Sequence, residues 1–140
     1  MAHVISKSIQ LSTRGNTDII DITPEVEQRL KETKLKSGMV TISVAGSTAS
    51  VTTCEYEPGV VADLKRMYEE LIPGNRKYAH DDAWGDGNAH SHMRASLTGP
   101  SATISFLEGK LSVGTWQQII LIDFDNKPRR RKVLLQFIGE

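Results

Sequence analysis

Apolar residues gather into short β-rich runs at both ends of this chain and fall at helical spacing in segments between them. Residues 4–11 and 17–22 read as strands, separated by the turn signal Arg14-Gly15-Asn16. Thr23-Pro24-Glu25 then offers an N-cap, a proline at the first helical position and an acidic first turn. The helix so opened carries Val26 and Leu30 on one face and is expected to stop near Ser37-Gly38. Residues 39–45 and 48–54 are two further β-rich runs. Pro58 opens a second helix, in which Val60, Val61, Leu64, Met67, Tyr68 and Leu71 recur at helical spacing until Pro73-Gly74. A long loop follows, after which Asn88 is placed to cap a short helix through Leu97, stopped by Gly99-Pro100. Strands are expected at 102–107, 111–113, 116–124 and 130–138. Ile119-Ile120-Leu121-Ile122 is apolar at every position, which predicts a strand covered on both faces. The pattern predicts one sheet-dominated α+β domain over 1–140, with about seven strands and two or three helices.

Composition narrows the function classes. Lysine plus arginine equals aspartate plus glutamate at 17 each, so no global field draws the chain to nucleic acid or a membrane surface. The one cysteine, Cys54, has no internal disulfide partner, which suits a reducing cytosol. The first residues lack the basic start and apolar core of a signal peptide, and no apolar run is long enough to span a bilayer. A soluble cytoplasmic protein is expected. No dinucleotide fingerprint, Walker loop or nucleophile elbow is present.

The chemistry concentrates between Tyr78 and Leu97. His80, His90 and His92 fall there with Asp81, Asp82, Asp86, Asn88 and Arg94. Imidazoles and carboxylates on a glycine-containing loop are ligands for zinc, manganese or magnesium, and they move protons near neutral pH. The plainer reading is a polar surface loop, and for each aspartate alone that reading is preferred. His90 and His92 share one side of an extended segment but not of a helix, so a shared cation requires His90 to precede the first regular turn.

Three separated blocks resemble the YjbQ-like family, some members of which are described as secondary thiamine-phosphate synthases. They are Gly46-Ser47-Thr48-Ala49 with Glu55; Tyr78-Ala79-His80, Asn88 to His92 and Arg94-Ala95-Ser96-Leu97 with Gly99; and Gly109-Lys110-Leu111, Gly114-Thr115-Trp116-Gln117 with the Ile138-Gly139-Glu140 ending. The resemblance implies a homotrimer with sites near the subunit boundaries. It also implies a metal-dependent or phosphate-handling activity that joins a pyrimidine pyrophosphate to a thiazole phosphate and releases pyrophosphate. Many members carry a histidine where this chain has Gly46, and His90 is expected to take over that third-ligand role.

On this reading His80, His90 and His92 hold a divalent metal, and Glu55 and His92 are the catalytic residues. Ser47, Thr48, Asn88, Arg94, Trp116 and Gln117 bind a small phosphorylated substrate. Glu55 is expected to be buried or half-buried, Arg94 to grip phosphate, and Trp116 and Gln117 to begin a buried strand. The basic run Arg129-Arg130-Arg131-Lys132 is short and lacks interleaved aromatics, so it reads as decoration of a strand end rather than a nucleic-acid footprint. Two alternatives use the same residues: a metal-assisted phosphate-ester hydrolase, and a non-enzymatic metal- or ligand-binding trimer.

Overall fold

The structure is a computed structural model that describes residues 1–140. Its elements are β1 (His3–Thr13), β2 (Asp18–Asp21), α1 (Thr23–Thr33), β3 (Gly38–Val44), β4 (Ala49–Cys54), α2 (Pro58–Leu71), α3 (Ala79–Trp84), α4 (Ala89–Thr98), β5 (Ser101–Leu107), β6 (Lys110–Leu111), β7 (Gln118–Asp123) and β8 (Arg129–Gly139). The α+β class is as expected, with eight strands and four helices.

The strands form two antiparallel sheets. One has the order β1-β8-β3-β5-β6 and the other β2-β7-β4. Alternation along the strands supplies the main core. Val40, Ile42 and Val44 of β3 and Val133, Leu135 and Phe137 of β8 meet Val51 of β4 and Ile119 and Leu121 of β7, with Val26 and Leu30 of α1 packed among them. The other residues of β7, Ile120 and Ile122, turn to a second cluster with Ile19, Tyr68, Ala95 and Phe124. Both faces of β7 are therefore covered, as its unbroken apolar run requires.

Helix boundaries follow local chemistry, and some differ from expectation. The Glu57 carboxylate caps α2 by accepting from the Gly59 and Val60 N–H groups at 2.7 and 3.0 Å. Thr23 does not cap α1: its hydroxyl accepts the Ile119 N–H at 2.8 Å and ties the helix start to β7. α1 ends at Thr33, before Ser37, because Lys34 takes a left-handed conformation at φ 62° and its N–H bonds the Lys31 carbonyl. Strand β7 begins at Gln118 rather than 116 and leaves Trp116 outside it.

α3 lies in the segment read as a long loop. It has six residues, none of them buried, so it has no apolar periodicity to reveal it. Gly85, at φ 71°, closes it by donating its N–H to the Asp81 carbonyl at 2.8 Å.

Candidate functional site

α3 and the start of α4 assemble the histidine end of the molecule. The Tyr78 hydroxyl donates to the Pro73 carbonyl at 2.7 Å and fixes the entry to α3. Gly85 and Gly87, both in left-handed conformations, then turn the chain toward Asn88. His80, Asp81 and Asp86 end with their ligand atoms within 4.8 Å of one another. The His80 Nδ1 stands 3.8 Å from Asp81 Oδ1 and 3.6 Å from Asp86 Oδ1, too far for hydrogen bonds. That nitrogen is buried and has no partner. The Ala89 N–H donates to Asp81 Oδ1 at 3.2 Å, and the Asn126 amide holds the Asp86 carbonyl at 2.8 Å. The His92 ring lies beside His80, with centroids 4.8 Å apart and planes tilted by 49°.

The three imidazoles do not converge on one point. His90 instead faces Gly74, its Nε2 3.4 Å from where a Cβ on that glycine would stand. Burial holds its imidazole below the ordinary value, and the Arg94 charge adds to this against Glu69, Asp81 and Asp125. His90 lies in the first turn of α4, where the two-residue spacing sends it and His92 in different directions. It therefore does not stand in for the histidine expected at 46; the group is one imidazole with two carboxylates. These donors fit a cation of the manganese, magnesium or zinc kind. At bonds of about 2.1 Å, neighbouring ligands of a tetrahedral ion stand about 3.4 Å apart, close to the separations about His80. A cation would also satisfy the orphaned Nδ1.

Beside this group runs a buried ionic network whose acids, Asp123 and Asp125, are not among the expected site residues. Arg131 donates through Nε to Asp123 Oδ2 at 2.7 Å and through Nη2 to Asp123 Oδ1 at 2.9 Å and Thr48 Oγ1 at 2.7 Å. Thr48 Oγ1 donates to Asp125 Oδ2 at 3.2 Å, which also accepts from Arg129 Nε at 2.7 Å. Burial pushes both carboxyls up. Bonds from Arg131, Thr13 and the Asp125 N–H overcome this at Asp123, as do those from Arg129 and the Asn126 N–H at Asp125, so both sit below the ordinary carboxylate value.

The basic run opens β8 with Arg130 and Lys132 exposed, as strand-end residues, while Arg131 is buried and it and Arg129 partner the buried aspartates. A signal was present, since Asp123-Phe124-Asp125 directly continues a strand covered on both faces, and such acids need cationic partners. Arg94 is engaged inside the fold. Buried to 4 % exposure, it spends its guanidinium on the Ile72 carbonyl, Glu69 Oε2 and Thr17 Oγ1. Asn88 is also buried and caps α4 through its carbonyl rather than its side chain, leaving Oδ1 without a partner.

The remaining predicted residues sit at the opposite end of the three-stranded sheet. Ala49 pairs with Asp123 and Cys54 with Gln118, so Glu55, Trp116 and Gln117 lie the length of β7 from Asp123, roughly 17 Å at 3.3 Å per residue. Glu55 is exposed, not buried, because β4 ends before it. It lines an open cleft of about 420 Å³ with Asp21, Tyr56, Thr115 and Trp116. Trp116 is 75 % exposed. Gln117 turns inward, accepting the Gly114 N–H at 2.9 Å and donating to Thr53 Oγ1 at 3.3 Å. One chain therefore does not gather all the predicted site residues.

Comparison with known proteins agrees with this arrangement of strands and helices. The chain is 36 % identical over 132 residues to the UPF0047 protein MJ1081 of Methanocaldococcus jannaschii, covering 94 % of this chain and 92 % of that protein. It is 35 % identical over 134 residues to the UPF0047 protein YugU of Bacillus subtilis, covering 95 % and 98 %. The crystal structure of a YbjQ-like protein of unknown function from Sulfolobus solfataricus superposes with a TM-score of 0.94 at 32 % identity, covering 100 % of both chains. A hypothetical protein from Aeropyrum pernix superposes at 0.90 and 31 % identity, covering 97 % of this chain and 99 % of that one. The sequence model of the UPF0047 protein YjbQ-like family matches residues 7–140, and the chain belongs to that family.

Proposed function

We propose that the protein is a divalent-metal-dependent enzyme acting on phosphorylated small molecules, with thiamine phosphate formation as its reaction. The observation that carries the metal reading is the buried, unbonded His80 Nδ1 facing two carboxylates at 3.6 and 3.8 Å. His80, Asp81 and Asp86 would hold the cation, which would supply charge neutralisation for a departing pyrophosphate. Asp81 is positioned for this by the Ala89 N–H, and Asp86 by the bond from Asn126 to its carbonyl. His92, against the His80 ring, is the second imidazole beside the group and the catalytic residue of this end. The choice of reaction comes from the family resemblance: the bond between the pyrimidine methylene and a pyrophosphate oxygen breaks, and a bond from that carbon to the thiazole nitrogen forms.

The homotrimer and the cytoplasmic setting belong to the same proposal. Val4, Ile138 and Met39 occupy one register row across β1, β8 and β3 and are 65 %, 45 % and 48 % exposed, an apolar strip on the open face of the larger sheet. A site holding all the expected residues would need the Glu55 and Trp116 end of one copy beside the histidine end of another, since a single chain keeps them apart. No helix is long and apolar enough to cross a membrane.

The test incubates the protein with the pyrimidine pyrophosphate, the thiazole phosphate and magnesium or manganese, and quantifies thiamine phosphate. Product that requires both substrates and is lost in His92→Ala supports the reading. Release of phosphate from one substrate alone would replace it with hydrolysis, and absence of any turnover would overturn the enzymatic assignment.

A further inference from the structure

We infer that the Gly46–Thr48 turn and the free Nη1 of Arg131 form an oxyanion subsite for a phosphate group, separate from the His80 donor group. Arg131 is only 9 % exposed, and its Nε and Nη2 are committed to Asp123 and Thr48. Its Nη1 has no acceptor in the protein, although it does not belong to the fully enclosed unpartnered atoms and so reaches the surface. An arginine locked along one edge presents the other in a fixed direction, which lowers the entropic cost of gripping an oxyanion. The approach runs past Gly46. A Cβ at 46 would stand 2.8 Å from Nη1, and the backbone there, at φ +144°, suits glycine alone. Glycine therefore keeps the guanidinium edge uncovered.

The turn adds donors of its own. The N–H groups of Ala45, Gly46, Ser47 and Thr48 make no bond to any protein acceptor, and the Ser47 hydroxyl is exposed and unbonded. Beside the turn lies a hollow of about 190 Å³, bounded by Gly46, Ser47, Ala95, Ser96, Gly99 and Pro100, which leaves room for the rest of a bound molecule. The arginine that accompanies Ser47 and Thr48 in the phosphate-binding role expected of them is thus Arg131, not Arg94. As a subsite of the enzyme this rests on the reading that the substrate is phosphorylated, but the binding needs no metal.

The experiment titrates the full chain with inorganic pyrophosphate in the presence of a chelator, following amide and guanidinium resonances. Shifts at residues 45–48 and at Arg131 are expected, with binding weakened about tenfold or more in Gly46→Ala, the loss of one charge-assisted bond, and in Ser47→Glu, whose carboxylate repels the anion. Ser47→Glu sits on an exposed turn and keeps the test open where Gly46→Ala is too strained to fold. Folded variants that bind like the parent, or shifts confined to residues outside 45–48 and Arg131, overturn the subsite. His80→Ala separates the two proposals: unchanged cation content in that variant sinks the metal reading alone, and unchanged pyrophosphate binding under chelation upholds the subsite.

Discussion

Arg131 on β8 and Asp123 on β7 join the two sheets through a two-bond ion pair, Nε to Oδ2 at 2.7 Å and Nη2 to Oδ1 at 2.9 Å. Asp123 is fully buried and Arg131 nearly so; Thr13 donates to Asp123 at 2.6 Å and Thr48 accepts from Arg131 at 2.7 Å. The pair holds the end of β7 against the 46–48 turn, so it positions the surface beside which the histidine end is built.

Removing one partner is costly because the other is left charged in a dry interior. Asp123→Asn is expected to lower unfolding free energy by about 3 kcal/mol. Asp63→Asn, which breaks only the exposed pair with Arg66, should change it by less than about 0.5 kcal/mol. Urea denaturation of both variants checks the contrast.

Acid stability follows from the same carboxylates. Both Asp123 and Asp125 titrate below the ordinary aspartate value of 3.8 in the folded chain. The unfolded state therefore binds protons first as pH falls. Their contribution is complete above the unfolded value and is lost as pH drops below it toward the folded values. Stability measured from pH 6 to pH 2 should decline over that lower window, and Asp123→Asn should flatten the decline. An unchanged acid limb in the variant would contradict the assignment.

Arg94 anchors the end of α2 and should behave as a structural residue. Arg94→Lys cannot bond the Ile72 carbonyl through two nitrogens while reaching Glu69 and Thr17, and is expected to cost about 2 kcal/mol. Its pyrophosphate affinity in the folded state should match the parent's. A large loss of affinity without a loss of stability would return Arg94 to the ligand.

How much of this was legible in the sequence depended on periodicity. β7 announces itself by an unbroken apolar run and is buried from Ile119 on; α2 announces itself by helical spacing, but only its Tyr68 is buried, with Val61 and Leu64 half-buried and Met67 and Leu71 exposed. α3 has no apolar face, so nothing in its spacing marks it. The crowding of His80, Asp81, Asp86 and His92 into one window was legible in the sequence. Which imidazole joined which carboxylate was set by the turn at Gly85 and Gly87 and by the docking of α4, both three-dimensional facts. That Glu55 and Trp116 lie at the far end of β7 from the histidines was not legible, because sequence order does not show which end of a strand a residue occupies.

Complementation tests the proposed assembly. Glu55→Gln and His80→Ala change half-exposed or exposed groups and should leave each chain folded. If sites form between copies, the two inactive variants should regain partial activity when refolded together. No recovery from a mixed oligomer would place the whole site within one chain and leave Glu55 out of it.

The most direct test of the central claim is cation content. The protein should be loaded with manganese or zinc, dialysed, and assayed by mass spectrometry beside His80→Ala and Asp86→Asn. About one ion per chain is expected in the parent, with most of it lost in both variants. Equal content in the parent and His80→Ala would contradict the claim.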